Sequence, residues 1–182
     1  MSRYVALLRA INVGGHVVKM ERLRALFEEL GFDEVETLIA SGNVLFGSSA
    51  RNTVALEAKI ERHLESALGY EVTTFIRTPK EMTAVAEYDP FPGQVREGHT
   101  LSVAFLKKHP GKPVAERLHA MRTDYDELLV HGRELYWLAR GRTSDSTVWR
   151  TPMEKVLGGP ATSRNITTVR RLATRLEAGV SR

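Results

Sequence analysis

Residues 4–10 read YVALLRA, a nearly continuous apolar run that ends at Arg9. So short and unbroken a run is typical of a central strand that is buried on both faces of a sheet. Residues 11–18, INVGGHVV, form a glycine-containing loop, and helical spacing begins at Lys19. The chain therefore opens with a strand, a loop and a helix, and the order of the elements that follow decides the fold.

The next elements complete a β-α-β-β-α-β order. Apolar residues at positions 20, 23, 26, 27 and 30 share one face of the first helix, which Gly31 ends. Residues 35–40 and 44–46 predict two strands around a turn at 41–43. A second helix over 56–67 ends at Gly69, and residues 71–77 predict a fourth strand. This is the order of a ferredoxin-like sheet, in which the strands lie in the spatial order 4-1-3-2.

The second half predicts a similar order. Thr78-Pro79-Lys80-Glu81 is typical of a helix start, and the loop 89–93, DPFPG, then separates the halves. Residues 99–182 predict β-α-β-β-α-α with a hairpin turn at 131–132 and a capped helix start at 151–154. They predict no clear closing strand, and no residue-level repeat of the first half is found.

The predicted fold class is α+β, with two ferredoxin-like subdomains whose antiparallel sheets carry helices on one face. The first subdomain covers residues 1–78 and is followed by a helix and connecting loop at 79–98. The second covers 99–182 and has an extra C-terminal helix.

The composition excludes several classes of protein. Of 182 residues, 42% are hydrophobic and 26% charged, which is unlike disordered or fibrous chains. The chain has no cysteine, so disulfides and thiol nucleophiles are excluded. The longest stretch without a charge, residues 37–50, is too short and polar to span a membrane, and no signal-peptide pattern is found. We expect a cytoplasmic protein with no membrane partner.

Positive charge is concentrated in the second half of the chain. Residues 1–88 hold 10 Lys or Arg and 12 Asp or Glu, whereas residues 89–182 hold 16 and 10. The formal net charge is +4 and the sequence pI about 9.5. A basic surface attracts phosphates, which makes nucleic acid or a small anion a candidate partner. The alternative is a solvated face that binds nothing.

Motifs for the common cofactors and metals are absent. Neither glycine-rich nucleotide fingerprint occurs, and the six histidines are scattered without helical metal-site spacing. We therefore expect no cofactor and no metal, and no spacing singles out a catalytic pair. A hydrolase or transferase that uses Asp89 or Asp124 in a cleft between the halves stays an alternative.

The order 4-1-3-2 places the end of the first strand beside the start of the third. The loop after Arg9 then lies near the turn at 41–43 and leads into a helix N-terminus, which favours an anion. We predict that the following residues bind it: Arg9, Asn12, Gly14, Gly15, Lys19, Ser41 and Asn43. The alternative is that the glycines only turn the chain and the asparagines only cap it.

A second candidate patch precedes and includes the last helix. Thr162, Ser163 and Asn165 are candidate N-caps, and Arg164 adds positive charge beside them. The patch consists of Arg164, Asn165, Arg170, Arg171 and Arg175. It would bind nucleic acid through its phosphates. The alternative for residues 162–165 is a helix cap alone.

These segments also carry a resemblance to a known family. Residues 4–15, YVALLRAINVGG, resemble the opening of the domain-of-unknown-function 1697 family. The resemblance continues through residues 18–20, 41–44, 77–78, 89–91, 157–158 and 162–165. Asp89 stands where the family pattern has Asn, and Ile166 where it has Trp. The resemblance implies a bacterial protein of two ferredoxin-like parts and implies no activity, cofactor or catalytic residue.

The leading functional hypothesis is a non-catalytic or weakly catalytic protein that binds a small phosphate-bearing ligand at residues 9–19. Arg9 and Lys19 would neutralise charge, Gly14 and Gly15 would offer backbone N–H groups, and the remaining candidates would orient the ligand. Nucleic-acid binding, catalysis between the halves and a role in protein interaction stay open as alternatives.

Overall fold

The computed structural model describes residues 1–39 and 42–180, without the side chain of Val180. The first elements of the chain are β1 (Ser2–Leu8), α1 (Met20–Glu29), β2 (Asp33–Leu38), β3 (Asn43–Ser48), α2 (Thr53–Leu68), β4 (Thr74–Arg77) and α3 (Pro79–Glu87). They are followed by β5 (Thr100–Leu106), α4 (Lys112–Ala120), β6 (Asp126–His131), β7 (Glu134–Ala139), α5 (Met153–Leu157), β8 (Ala161–Asn165) and α6 (Ile166–Val180). Two short 3-10 turns, Thr143–Asp145 and Val148–Arg150, lie between β7 and α5.

The strands form two four-stranded antiparallel sheets. Their orders are β2-β3-β1-β4 and β6-β7-β5-β8, and every pairing is antiparallel. In each sheet the strand that comes first in the chain lies between the third and the fourth. The predicted α+β class and the predicted strand order are therefore confirmed.

The chain divides into two compact units, the first of which is discontinuous. It contains residues Met1–Ala84 and Arg171–Arg182, and the second contains Val85–Arg170. The chain passes from the first unit to the second within α3 and returns within α6. Within the described ranges, no helix is both long enough and apolar enough to cross a membrane.

The core of the first unit lies between one face of its sheet and two helices. Tyr4, Ala6 and Leu8 of β1 pack in one buried cluster with Phe27 of α1 and Ile60 of α2. The alternate residues of β1, Val5 and Leu7, are fully buried as well. β1 is thus buried on both faces, as its apolar run predicts.

The second unit has a smaller cluster on the corresponding face of its sheet. Ala104 and Leu106 of β5 pack there with Leu118 of α4 and Leu157 of α5. α5 has only five residues, whereas α2 in the first unit has 16. The second sheet is therefore covered by less helix.

The prediction that the second half lacks a closing strand is wrong. Residues 161–165 form β8, which pairs with β5 from Leu106↔Ala161 to Ser102↔Asn165. The segment is mostly polar and lies at the edge of the sheet, so it lacks the alternation of hydrophobic residues that would predict a strand. Asn165, its last residue, caps the following helix, because Asn165 Oδ1 accepts a hydrogen bond from Thr167 N at 2.9 Å.

Two similar capping signals have different outcomes. At the start of α3, Glu81 N donates to Thr78 Oγ1 at 3.2 Å and Thr78 N donates to Glu81 Oε2 at 2.8 Å, as predicted. At the start of α5, Pro152 occupies the cap position and no side chain caps the helix. Glu154 accepts a hydrogen bond from Ala161 N of β8 instead, at 3.3 Å.

The paired strands reveal a repeat that the sequence alone does not. Residues 5–9, VALLR, align with 103–107, VAFLK, because both segments pair in the same register with their neighbours. Arg77 lies opposite Val5, and Arg164 lies opposite Val103. Each of these buried arginines donates from Nη1 to the carbonyl oxygen of the residue before it, at 2.9 and 2.8 Å. The central strands thus share a short sequence pattern, and the closing strands share a buried arginine.

Two glutamates of α2 satisfy the open edge of β4. Glu57 Oε1 accepts a hydrogen bond from Ile76 N, and Glu61 Oε1 accepts one from Thr74 N, both at 2.8 Å. Glu57 is 6% exposed. An edge strand presents backbone N–H groups with no partner strand, and these two carboxylates supply the missing acceptors.

We expect Glu57→Ala to lower the free energy of unfolding by about 1–3 kcal/mol, because it removes the acceptor of a buried N–H. Glu57→Gln keeps an acceptor oxygen and should cost less. Glu65→Ala changes an exposed glutamate of the same helix and is the matched control. Urea unfolding measures all three, and an equal loss in Glu57→Ala and Glu65→Ala would contradict the role of Glu57.

Candidate functional site

The loop after β1 and the turn before β3 are in contact, as the strand order predicts. Leu7 pairs with Asn43, and Leu8 N donates to the carbonyl oxygen of Gly42 at 2.8 Å. Gly42 has a φ of +74°, and a Cβ there would lie 2.7 Å from Cγ2 of Ile11. Only glycine therefore allows so close an approach of the turn to the loop.

The two predicted asparagines bind backbone groups of the site. Asn12 Oδ1 accepts a hydrogen bond from Val18 N at 2.7 Å, which closes the loop across its base. Asn43 is fully buried, and its Nδ2 donates to the carbonyl oxygen of Leu38 at 3.0 Å. These bonds agree with the alternative in which the asparagines hold the chain. Their direct contact with a ligand stays a prediction.

The glycines and the basic residues border an open part of the loop. Gly14 and Gly15 have φ values of +68° and +87°. Apart from each glycine and its chain neighbours, no heavy atom of the described residues lies within 4 Å of the place that a Cβ would take. Lys19 is exposed and occupies the N-cap of α1 without a side-chain cap. Arg9 is partly buried, and its backbone N donates to Thr73 O at 2.9 Å. Glu21, in the first turn of α1, has a charge of opposite sign.

Ser41, the remaining predicted member of this site, lies outside the described residues.

Two residues that support the loop were missed in the sequence. Tyr70 donates from its hydroxyl to the carbonyl oxygen of Ile11 at 2.9 Å. The ring of His16 stacks on that of Tyr70, with centroids 3.9 Å apart and an interplanar angle of 22°. Burial raises the pKa of the Tyr70 hydroxyl. The strand order could have indicated Tyr70, because the strand that follows it in the chain is the neighbour of β1.

The second candidate patch does not have its predicted arrangement. Arg164 lies within β8 and is only 7% exposed, so it is not an exposed charge at a helix start. Its Nη1 donates to Thr162 Oγ1 and to Ser163 O, both at 2.8 Å. Burial lowers the pKa of its guanidinium to about 10, so the group stays charged at neutral pH. Arg164 therefore holds the backbone of its own strand.

The arginines of α6 are exposed, and Arg175 is bound to a carboxylate. Arg175 Nε donates to both oxygens of Glu36, at 2.8 and 3.0 Å, which raises the pKa of Arg175. Arg170 and Arg171 are exposed. The nucleic-acid hypothesis stays a prediction that depends on these two residues.

The carboxylates named for a catalytic role differ in their surroundings. Asp89 Oδ1 accepts a hydrogen bond from Phe91 N at 3.2 Å and so holds the loop after α3. Asp124 is exposed. Within residues 1–39 and 42–180, no group of three or more His, Asp or Glu side chains is arranged to hold a metal ion.

Comparisons with known proteins give a family and a similar solved structure. The family model described as "Protein of unknown function (DUF1697)" matches residues 1–136. A similar solved structure is that of the conserved bacterial protein SP0830 from Streptococcus pneumoniae, with a TM-score of 0.76 and 21% identity. The similarity covers 97% of this chain and 99% of that one, and at this identity it shows the fold alone. No curated protein matches.

We expect Tyr70→Phe to lower the free energy of unfolding by about 0.5–1.5 kcal/mol, because it removes the bond to Ile11 and keeps the ring beneath His16. A raised tyrosine pKa means that this contribution is complete below about pH 10 and is lost as the pH rises through the raised value. Denaturant unfolding of both proteins at neutral and high pH measures the difference. A difference that grows above pH 10 would contradict the assignment.

Proposed function

Since the chain belongs to the DUF1697 family, whose description names no activity, we propose from its own geometry that it binds a small phosphate-bearing ligand at residues 9–19. The observation that carries the proposal is the closed loop itself. Asn12 binds Val18 N across the base, and Tyr70 binds Ile11 O from the side. A loop held in this way loses little conformational entropy when a ligand binds.

The groups that line the open part of the loop suit an anion. Gly14 and Gly15 leave the backbone open to an approaching ligand, and the N–H groups of the first turn of α1 have no side-chain cap. The partial positive charge of that helix end adds to the charges of Lys19 and Arg9. Phosphate oxygens accept several hydrogen bonds at once, so this donor set fits phosphate better than a carboxylate.

The asparagines and Tyr70 have a supporting role in this proposal. Their polar atoms bind the backbone of the loop and fix its shape, whereas the ligand meets backbone N–H groups and the two basic side chains. The sequence-based hypothesis predicted that Asn12 and Asn43 contact the ligand directly. The proposed mechanism of binding is therefore electrostatic attraction to a preformed loop.

The proposal is tested by titrating the protein with inorganic pyrophosphate and following backbone amide signals by NMR. We expect the amides of residues 14, 15 and 20–22 to shift. Arg9→Ala should weaken binding by roughly 1.5–3 kcal/mol, the usual value for a charged hydrogen bond. Lys19→Gln should weaken it less, because Lys19 is exposed.

Lys80→Gln is the matched control for Lys19. Lys80 also lies at the N-terminus of a helix, but Thr78 and Glu81 cap that helix. Its loss should leave pyrophosphate binding unchanged. If Lys80→Gln and Lys19→Gln weakened pyrophosphate binding equally, the loss would come from the overall charge of the protein, and the proposed site would be wrong.

Asn12→Asp separates support of the loop from binding. Aspartate keeps an oxygen that can accept from Val18 N, so the free energy of unfolding should change less than in Asn12→Ala, which we expect to cost about 1 kcal/mol. The added negative charge should nevertheless repel pyrophosphate. Pyrophosphate binding at full affinity by Asn12→Asp would show that the anion does not approach this loop.

A further inference from the structure

The two sheets have the same register but carry different residues at three matched positions. On the helix-facing side of the first sheet these positions hold Tyr4, Phe46 and Ile76, which are 3%, 0% and 0% exposed. In the second sheet, the matched residues are Ser102, Trp137 and Ser163. Two large apolar side chains are thus replaced by serines.

The elements above these positions also differ. In the first unit, the 16-residue helix α2 crosses the sheet and buries Leu56, Ile60 and Leu64 against it. In the second unit, the chain between β7 and β8 makes two 3-10 turns and the five-residue α5. Small residues and a short cover together leave a pocket with a volume of about 140 Å³.

The walls of this pocket, called here the tryptophan pocket, are mainly apolar. Trp137 and Trp149 lie at it with ring centroids 6.0 Å apart and an interplanar angle of 21°. Ser102, Thr151 and Ser163 add three hydroxyl groups. No charged side chain is among the described residues that line it.

A buried carboxylate binds the indole of Trp137 and, through Ser146, the backbone of Trp149. Asp126 is fully buried, and its Oδ1 accepts hydrogen bonds from Trp137 Nε1 and Ser146 Oγ, both at 2.7 Å. Its Oδ2 accepts one from Thr123 Oγ1 at 3.0 Å. Ser146 Oγ in turn accepts from the backbone N of Trp149, at 3.4 Å. Desolvating a carboxylate is costly, and here its bonds orient the residues that line the pocket.

The exposure of Trp149 gives a second sign of a binding surface. Its side chain is 61% exposed although the backbone that carries it is held by Ser146. An exposed indole beside the ring of Trp137 offers a free face on which a planar ligand can stack.

We propose that the tryptophan pocket binds a small, uncharged, planar ring that carries a hydroxyl group. An engineered protein cavity of about 150 Å³ with apolar walls holds one benzene molecule, which sets the size of the ligand at one six-membered ring. The indoles provide stacking, and the three side-chain hydroxyls provide partners for the ligand's own hydroxyl. A charged ring would lose its hydration without meeting an opposite charge in the lining.

Phenol is the probe for this pocket. The chain contains two tryptophans, and both lie at the pocket, so the indole N–H region of the NMR spectrum reports on this place alone. Titration with phenol should shift both indole signals in a saturable way. Absence of a saturable shift would overturn the proposal.

Ser163→Ile is the decisive variant, because it introduces the residue that the first sheet has at the matched position. It should fill the pocket and lower phenol affinity at least about tenfold, while the melting temperature is kept or raised. Ser66→Ile, at an exposed position of α2, is the matched control and should bind phenol normally. Unchanged phenol affinity in Ser163→Ile would overturn the assignment.

If Ser163→Ile fails to fold, Trp149→Ala removes an exposed ring without filling the core and should also weaken phenol binding. Benzoate and benzylammonium present the same ring with a negative or a positive charge. We expect both to bind more weakly than phenol. If either charged ring bound more tightly than phenol, the proposal of an uncharged ligand would be wrong. Pyrophosphate should not compete with phenol, benzoate or benzylammonium.

Discussion

The central strand of each sheet imposes the constraint on which the other elements depend. β1 and β5 bond to a neighbour on each side, and their side chains are buried on both faces over most of their length. A slip of one residue would exchange the two faces, which the core does not permit. The fixed register then determines where each strand ends. It places the loop after Leu8 against Gly42 and thereby creates the loop that we propose as an anion site.

Much of this fold can be predicted from local sequence, because its central strands and long helices have strong patterns. The apolar run of β1, the capping residues of α3 and the end of α2 at Gly69 are all observed. β8 could not be predicted, since its polar residues become a strand only by pairing with β5. In the candidate site, the strand order predicts that loop and turn meet. It cannot predict that Asn12 and Asn43 point to backbone groups, nor that Tyr70 reaches Ile11 from another part of the chain.

Because the two sheets share a register, their matched positions can be compared, and some hold the same residue whereas others differ. Arg77 and Arg164 occupy the same position, are both buried and make the same bond to the preceding carbonyl. These arginines therefore have a structural role in the closing strand of each sheet. On the helix-facing side the halves differ, because one fills its core with Tyr4 and Ile76 whereas the other has Ser102 and Ser163 at an open pocket. The same register therefore supports a filled core in one sheet and a pocket in the other.

The discontinuous first unit has a consequence for the order of events on the ribosome. Residues 1–84 are made first, but their unit is completed only by the part of α6 from Arg171 onward. At about 5–20 residues per second, the intervening stretch takes roughly 4–17 s to synthesise. The second unit is continuous in sequence and can finish folding as soon as it has emerged. The half that is translated first therefore receives its last segment only at the end of synthesis.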